Sequence, residues 1–395
     1  MKREGGAMKY KILFVDDESR VLMGLQRMLR RMRKEWEMVF VSSPEKAIAE
    51  LERQSFDVIV TDMKMPGMQG DQLLSNVKER FPDVIRLILS GHAEEEKIAR
   101  SIDVTHQFLS KPCEPEELKE TIKRCCWLKS KLTDPHLKKV VTKISKLPTL
   151  PELYTQITEA LNRDASVKEI ADIISQDISM TAKILQLVNS PFFGTRYKIA
   201  NPAQAVNFLG LETIKNLVFS FGVFSQFDKK TLKEFHLENL WKHSMEVAAL
   251  SKRIYFEETS DERKASYAFL IGMLHDIGKL ILVTNFPETF KKAIDISKQD
   301  SLSLFEAEAV IMGTTHAEVG SYLLGLWGFQ DDVIESICYH HKPRNAPETD
   351  FSFLTCLHVA NAIVNDNIQG LIDLEYLQQL GMVDKLENWQ NVNKQ

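Results

Sequence analysis

Short apolar runs that each lead into a polar side chain constrain this chain more than any other feature. Four of them do so directly: Ile12–Val15 into Asp16 and Asp17, Val58–Thr61 into Asp62, Ile88–Leu89 into Ser90, and Phe108–Ser110 into Lys111. Amphipathic segments lie between these runs, and this alternation predicts a parallel sheet with helices on both faces. The carboxyl ends of parallel strands meet at one sheet edge, where open α/β folds bind ligands. The sequence therefore predicts that these polar side chains converge at that edge.

The residue types at this edge fit the transfer of a phosphoryl group. Asp16, Asp17 and Asp62 offer three carboxylates, the hard oxygen ligands that suit Mg²⁺. The Ser90 hydroxyl and the Lys111 ammonium would contact phosphoryl oxygens, and one carboxylate would act as the nucleophile that forms an acyl phosphate. The alternative interpretation is a doubly wound domain with incidental acidic residues at its strand ends.

The order and placement of these residues resemble the receiver domain of two-component response regulators, over about residues 8–130. The resemblance implies a flavodoxin-like α/β fold in which Asp62 is the phospho-acceptor and a sensor histidine kinase is the donor. It implies further roles for matching positions: Asp16 and Asp17 as Mg²⁺ ligands with Asp62, the backbone carbonyl of Lys64 as another, Ser90 and Lys111 on the phosphoryl oxygens, Phe108 as the aromatic switch residue, and a cis bond at Lys111-Pro112.

Composition and charge exclude several other classes of protein. A chain of 395 residues has room for two or three domains, and its net charge of −5 provides no basic field for nucleic acid. No unbroken apolar run reaches the roughly 18 residues of a membrane helix, and residues 1–7 lack an apolar signal core. Five cysteines without a CxxC pair predict reduced thiols. We therefore expect a cytoplasmic protein with neither a membrane nor a nucleic-acid partner.

A change of pattern near residue 129 predicts a second domain, which is all-α. We place the receiver at 8–128, a basic linker that becomes helical at 129–146, the helical domain at 147–371, and a C-terminal helix with a frayed polar tail at 372–395. Apolar residues of the helical domain recur at three- and four-residue steps, as on a buried helix face. Ser166 with Glu169 predicts a capping box, and Asn201-Pro202 predicts a capped helix start.

Four strings in this second domain resemble the HDOD domain, a helical output module related to the HD phosphohydrolases. In chain order they are Leu147–Pro151, Asn189–Gly194, Ile199–Val206 and Gly210–Leu217. None of them supplies a nucleophile or a metal cluster, so they indicate packing and helix ends. The resemblance implies a regulatory module that contacts a downstream signalling protein, and it covers about residues 138–342.

A set of histidines with one aspartate gives the second domain a different character. The set consists of His243, His275, Asp276, His316, His340 and His341. Imidazoles with a carboxylate suit Fe, Mn, Zn or Ni. The spacing of His243 and His275 is about one helical hairpin, which allows two antiparallel helices to direct both side chains inward.

His275-Asp276 with Lys279 resembles the signature of catalytically competent HD domains, and the nearest metal-binding relatives by this resemblance are the HD-GYP cyclic-dinucleotide phosphodiesterases. The resemblance implies that the six residues of the set match metal ligands. Two positions depart from it: Asn361 stands where HD enzymes carry an Asp, and Asn239 stands where the dinuclear enzymes carry a Glu. The family's Gly-Tyr-Pro stretch after the paired histidines is also absent.

Two hypotheses for function follow. In the first, the protein is a phosphorelay adaptor whose HDOD output is expected to be non-enzymatic. In the second, it is a receiver-regulated, metal-dependent phosphohydrolase that acts on cyclic dinucleotides or nucleotides through the histidine set. The sequence identifies neither the cognate kinase nor the downstream target, and it leaves open the sense of switching and the oligomeric state, including a homodimer.

Overall fold

A computed structural model describes residues 9–91, 97–98, 101–131, 151–190, 198–211, 214, 228–300, 302–347, 350–365 and 368–392. The chain divides into two compact units, the first built mainly from residues before Lys139 and the second mainly from residues after it. The stretches 132–150, 191–197 and 215–227 lie outside the described residues, and they contain most of the predicted linker and parts of three HDOD-like strings.

The first unit is built around a parallel five-stranded sheet with the strand order β2-β1-β3-β4-β5. Its strands are β1 Tyr10–Val15, β2 Trp36–Val41, β3 Val58–Asp62, β4 Ile85–Gly91 and β5 Gln107–Lys111. Its described helices are α1 Ser19–Met28, α2 Pro44–Arg53, α3 Gly70–Arg80 and α4 Pro115–Lys131, with a 3-10 turn at Arg30–Lys34. This is the parallel sheet that the alternation of apolar runs predicts, in the flavodoxin-like form that the resemblance to receiver domains implies.

Local sequence sets the ends of these elements as expected. The Ser43 side chain caps α2 by accepting a hydrogen bond from the Lys46 backbone N–H, and Pro44 occupies the first helical position. Pro115 begins α4, and Glu116 and Glu117 place negative charge at its N-terminus. The Lys111-Pro112 bond at the end of β5 is cis, which confirms the prediction.

The far end of α4 is anchored to the beginning of β3. Lys129 Nζ lies 2.9 Å from Asp57 Oδ1 and donates to the Phe56 carbonyl at 3.3 Å. The second oxygen of Asp57 accepts the backbone N–H of Lys11 at 2.8 Å, so the same carboxylate also fixes the beginning of β1. The first residues of the predicted linker, 129–131, therefore belong to α4.

In its described part, every regular element of the second unit is helical, as predicted. The helices are α5 Pro151–Asn162, α6 Val167–Ser175, α7 Ile178–Val188, α8 Pro202–Leu209, α9 Lys229–Glu234, α10 Leu237–Thr259, α11 Glu262–Leu274, α12 Ile277–Asn285, α13 Pro287–Gln299, α14 Leu304–Met312, α15 His316–Leu326, α16 Asp331–Tyr339, α17 Phe353–Val364, α18 Ile368–Leu371, α19 Leu374–Gln379 and α20 Leu386–Val392, with 3-10 turns at Pro343–Asn345 and Val383–Lys385.

The predicted caps of the second unit are present with one difference. Asn201 caps α8 through the Ala203 N–H, and Gly210 ends that helix with φ of 80°. Ser166 caps α6 through the Glu169 N–H. The Glu169 side chain pairs with Arg163 and makes no return bond to Ser166, so the capping box is only half formed. A long guanidinium within reach competes successfully for this carboxylate.

Two glycines allow helices that carry histidines to approach very closely. A Cβ on Gly272 would lie 2.5 Å from Ala248 Cα, which brings α11 against α10. A Cβ on Gly278 would lie 1.9 Å from the backbone oxygen of His316, which brings α12 against the start of α15. Both distances are shorter than any side-chain-bearing residue tolerates, so only glycine permits these contacts.

The expectation of a frayed polar tail is wrong. Leu386–Val392 forms α20, and its Trp389 side chain is fully buried. The Trp389 indole N–H donates to Glu258 Oε1 of α10 at 3.0 Å, and Lys385 pairs with the same Glu258. One large aromatic residue with a hydrogen-bonding partner is enough to hold a helix whose composition is otherwise polar.

Among the described residues, Glu262–Asn285 is long and apolar enough to cross a membrane by length and composition alone. His275, Asp276 and Lys279 interrupt the apolar run of this segment, so the sequence does not predict a membrane helix here. Of its most apolar window, 78% is buried inside the protein, as in the core helices of globular domains.

Candidate functional site

The carboxylates of Asp16, Asp17 and Asp62 come together at the carboxyl edge of the sheet. One oxygen of each lies within 4.8 Å of the others. Asp16 directly follows β1 and Asp62 is the last residue of β3, and both are buried, whereas Asp17 is exposed. The two strands are neighbours in the sheet, with Val15 paired to Thr61, so their ends necessarily bring these side chains together.

Lys111 completes this cluster from the end of β5. Its ammonium lies 2.7 Å from Asp16 Oδ2 and forms a second ion pair with Asp62 Oδ1. Burial by itself would lower the pKa of Lys111, but the hydrogen bonds to Asp16 and Asp62 outweigh it and raise the pKa. Lys111 therefore stays cationic and faces both buried carboxylates.

The remaining predicted receiver residues lie on the elements around this cluster. Ser90 is buried near the end of β4, directly after Leu89, which pairs with Asp62. Phe108 is fully buried on β5, so it already occupies the inward position. Lys64 lies two residues beyond Asp62 in the loop after β3, with an exposed side chain.

The donor set at this edge fits Mg²⁺. Three carboxylates face one ammonium, a formal charge of −2 (three negative charges and one positive) that one divalent cation neutralises. Carboxylate oxygens are the ligands that Mg²⁺ prefers. Asp16, Asp17 and Asp62 would hold the ion, and Asp16 is further fixed because its Oδ1 accepts the Glu18 backbone N–H at 2.9 Å.

The second unit gathers all six residues of the histidine set from four places in the chain. His243 lies within α10, His275 and Asp276 separate α11 from α12, His316 begins α15, and His340 and His341 follow α16. Ligand atoms lie within 4.8 Å of one another in each of two groups, one of His243, His275 and Asp276, the other of His316, His340 and His341. The groups adjoin, since the rings of His275 and His340 have centroids 5.2 Å apart.

Two of these histidines present bare nitrogens to the interior. His275 Nδ1 pairs with the Gly272 carbonyl and His340 Nδ1 with the Ile337 carbonyl, both at 2.7 Å. Both residues are buried, and neither Nε2 atom makes a hydrogen bond, although His275 Nε2 lies 3.2 Å from Asp276 Oδ2. An imidazole that donates through one nitrogen to a carbonyl and leaves the other bare has the arrangement of a metal ligand. The cluster therefore fits a transition metal.

Asp276 is the electrostatic centre of this cluster. Its Oδ2 accepts from Lys279 Nζ at 2.6 Å, and its Oδ1 lies 3.2 Å from His316 Nε2. Burial alone would raise the pKa of Asp276, but His275 and Lys279 hold it well below its usual value. The carboxylate is therefore ionised at neutral pH even though it is almost completely buried.

The histidines respond to burial in different ways. Burial, together with the neighbouring His275, lowers the pKa of His243 to about 4. Burial also holds the pKa of His340 and of His341 well below the usual value, so both are neutral and able to bind a cation. Burial would lower the pKa of His316 too, but the charge of Glu308 outweighs it and raises the pKa.

The two asparagines that depart from the HD pattern lie at this cluster. Asn361 is buried on α17, and its Oδ1 accepts from His243 Nε2 at 3.0 Å and from Asn365 Nδ2 at 2.9 Å. Asn239 is exposed on α10, one turn before His243. The neutral amide of Asn361 thus takes the place of an anionic ligand and bonds directly to a candidate ligand.

Glu308 is the residue of this cluster that the sequence analysis missed. It lies on α14 and is fully buried. Its Oε2 accepts from both the backbone N–H and the Nδ1 of His316, each at 2.7 Å. The available signal was a glutamate on the apolar side of a short helix, which is rarely buried without a specific partner.

A cavity of about 590 Å³ opens onto the cluster. It is bordered by His243, Asp276, Lys279, Phe305, His341 and Lys342, among other residues. Lys342 Nζ lies 5.2 Å from the centroid of the Phe305 ring. Two lysines, an aromatic face and the imidazoles thus face a space large enough for a small organic anion.

Comparison with known families agrees with both units. The model of the response regulator receiver domain matches residues 12–123, and the model of the HDOD domain matches residues 147–343. The sheet and these matches define a response regulator. More closely, the chain belongs to the response regulators in which an N-terminal receiver domain is followed by an HDOD domain.

Curated relatives match parts of the chain. A protein of Treponema pallidum is 25% identical over 229 residues, which are 57% of this chain and 43% of that protein. The hydrogenase transcriptional regulatory protein HoxA of Cupriavidus necator is 36% identical over 115 residues, 29% of this chain and 23% of that protein. The chain thus spans less than half the length of these relatives.

Two solved structures resemble parts of this chain. The MmoQ response regulator of Methylococcus capsulatus is 22% identical with a TM-score of 0.49, over 62% of this chain and 98% of that one. An HDOD domain protein of Geobacter sulfurreducens is 25% identical with a TM-score of 0.34, over 60% of this chain and 78% of that one.

Proposed function

We propose that Asp62 accepts a phosphoryl group from a sensor histidine kinase and that this modification switches the HDOD domain. The observation that supports it is the convergence of Asp16, Asp17 and Asp62 on one edge, with Lys111 paired to both buried carboxylates. Three carboxylates beside one ammonium leave an excess of negative charge, which a bound cation would stabilise.

In the proposed transfer, an oxygen of the Asp62 carboxylate attacks the phosphorus of a phosphohistidine. A P–O bond forms, the P–N bond breaks, and its electron pair leaves with the imidazole of the kinase. Asp16, Asp17 and Asp62 would hold Mg²⁺, which when bound would neutralise charge on the phosphoryl oxygens. Lys111 then turns from the carboxylate of Asp62 to the new phosphoryl group, and the Ser90 hydroxyl donates a hydrogen bond to it.

The output would follow from this local change of charge. Movement of Ser90 toward the phosphoryl group, with Phe108 held inward, reshapes the face formed by β4, β5 and α4. The HDOD domain then contacts a downstream signalling protein in the cytoplasm, without chemistry of its own. In this proposal the receiver domain accepts the signal as a phosphoryl group, and the helical domain passes it on by binding a partner.

Phosphorylation of full-length protein by acetyl phosphate with Mg²⁺ tests this function. Phosphate-affinity electrophoresis should show one shifted band for the natural protein and none for Asp62→Asn. Asp83→Asn, which changes an exposed carboxylate of the same unit, is the matched control and should shift normally. Labelling of Asp62→Asn equal to that of the natural protein would refute the assignment.

A second function, a metal-dependent phosphohydrolase, is favoured by one observation. The Nε2 atoms of His275 and His340 are buried without a hydrogen-bond partner, and other members of the same set, His243, His316 and His341, border a cavity together with Lys279. We propose that the histidine set holds Fe, Mn, Zn or Ni, which when bound would supply an activated water for attack on a phosphodiester. Lys279 would bind the phosphate, and imidazoles of the set, His340 among them, would hold the ion.

Turnover of cyclic dinucleotides and nucleotides by the metal-loaded protein separates this second function from the first. Hydrolysis that disappears in the double variant His275→Ala, Asp276→Ala would support it. The same rate in the double variant, or none in the natural protein, would eliminate it and leave the phosphorylation of Asp62 unaffected.

A further inference from the structure

We infer that the histidine set is a site for a single transition metal, formed by Asp276, His316, His340 and His341, and that Glu308 is the positioning residue that directs His316 toward it. This inference rests on the proposed metal binding and deepens it. It assigns the ion to one half of the set and adds a residue outside the HD signature.

The half that contains His243 is satisfied at that residue by a hydrogen bond of its own. His243 Nε2 and Asn365 Nδ2 both donate to Asn361 Oδ1 at 3.0 and 2.9 Å. An Nε2 that carries a hydrogen has no lone pair for a cation. Lys279 places its ammonium 2.6 Å from Asp276 Oδ2, the oxygen that faces His275. A neutral amide and a resident cation thus disfavour a divalent ion in this half.

The other half leaves its donor atoms directed at one another. Asp276 Oδ1 lies 3.2 Å from His316 Nε2, and His316 Nε2 lies 3.0 Å from His341 Nε2. Neither Asp276 Oδ1 nor His340 Nε2 makes a hydrogen bond. Ligand atoms bound at about 2.1 Å to one metal lie about 3.0–3.4 Å apart, as these pairs do. One shared cation therefore accounts for all four groups.

Glu308 determines which nitrogen of His316 faces this half. Its Oε2 accepts the Nδ1 hydrogen of His316, so the Nε2 lone pair points toward Asp276 and His341. The same oxygen accepts the backbone N–H of His316, which fixes the first turn of α15. Glu308 Oε1 is buried and has no hydrogen-bond partner, so the contacts of this carboxylate are those with His316.

The arrangement is that of a carboxylate behind a metal-bound imidazole, where loss of the carboxylate lowers metal affinity about 10- to 100-fold. Glu308→Gln preserves the size of the side chain and an oxygen that accepts the same two hydrogen bonds. It removes the negative charge that makes His316 a stronger donor. We therefore expect a loss of affinity near the lower limit for Glu308→Gln and near the upper limit for Glu308→Ala.

Titration of metal-free, full-length protein with Co²⁺ tests the inference. Excess Mg²⁺ is present throughout, so that the aspartate cluster of the receiver is occupied by the cation it prefers. The measurements are the metal content of the protein after gel filtration, the visible absorption of bound Co²⁺, and the dissociation constant. Circular dichroism establishes that each variant is folded.

The natural protein should bind one equivalent of Co²⁺, and His341→Ala should bind none. Asn361→Asp should bind two, because it restores a carboxylate to the satisfied half. Glu308→Gln should retain one equivalent with weaker affinity and a shifted absorption band. His236→Asn, a surface histidine in a left-handed conformation that Asn tolerates, is the control and should match the natural protein.

Each contrary result has a distinct meaning. No bound Co²⁺ in the natural protein would overturn both the metal proposal and this inference. Two equivalents in the natural protein would overturn the single-metal assignment and leave metal binding standing. Unchanged affinity and absorption in folded Glu308→Gln and Glu308→Ala would overturn the role of Glu308 alone.

Discussion

Replacement of Gly278 by alanine is the sharpest test of how the histidine cluster is assembled. The new Cβ would lie 1.9 Å from the His316 backbone oxygen and 2.7 Å from its carbonyl carbon. Real Cβ atoms essentially never come closer than 3.0 Å to a neighbour, so α12 and α15 must separate by about 1 Å. A backbone carbonyl at the start of a helix has no side-chain rotamer by which to move aside.

The expected loss of stability follows from two opposing terms. Overpacking of a closely packed interior costs about 1–3 kcal/mol, and a backbone neighbour places this case near 3. Alanine in a helix gains about 1 kcal/mol over glycine. The net loss of about 2 kcal/mol corresponds to a decrease in Tm of about 4–8 °C for a unit of this size.

Differential scanning calorimetry of the full-length protein measures this change. Gly24→Ala on α1 is the matched control, because nothing lies within 4 Å of its Cβ and helix propensity alone predicts a slight gain. An unchanged Tm for Gly278→Ala, with Co²⁺ binding equal to that of the natural protein, would show that the close approach of α12 and α15 does not hold the cluster together.

Three other perturbations have defined outcomes. Lys111→Met removes the ammonium that competes with a cation for Asp16 and Asp62, so Mg²⁺ should bind about tenfold more tightly in calorimetric titration, and equal or weaker binding would contradict this. Burial and the charge of Arg86 hold the pKa of His106 well below its usual value. The unfolded chain therefore binds a proton at this residue at a higher pH than the folded protein does. The free energy of unfolding should fall as the pH drops below about 6.5, by at most about 2 kcal/mol at pH 5. His106→Gln should lose less on acidification, and an identical pH dependence would exclude His106 as the cause. Thr315→Ala removes the cap of α15 and should cost about 1 kcal/mol in thermal unfolding, whereas Thr315→Ser should not.

The receiver half could be predicted from the sequence because its signals are local and its geometry is general. A strand that ends at Asp62 beside a strand that ends at Val15 must place Asp62 close to Asp16. Parallel pairing with a fixed period of two leaves no other arrangement. The cap at Asn201 also followed from residue type, whereas the cis bond before Pro112 followed from the family resemblance.

The histidine cluster shows where such prediction ends. Its members could be named from their motifs, but their hydrogen bonds depend on the packing of helices that are distant in sequence. Glu308 lies only eight residues before His316, but their contact depends on the turn between α14 and α15, which no residue pattern indicates. Trp389 could not be predicted because its partner Glu258 lies more than a hundred residues earlier.

The ion pair between Lys129 and Asp57 connects the end of α4 mechanically to β3. The strand is buried along its whole length of about 16 Å, with the anchor just before its first residue and Asp62 at its last. Because β3 is hydrogen-bonded to β1 on one side and to β4 on the other, it moves as a rigid element. A displacement of Lys129 away from the sheet is therefore transmitted through Asp57 to β3, which ends at Asp62. Movement of the end of α4 would in this way change the position of the acidic cluster at the opposite end of the strand.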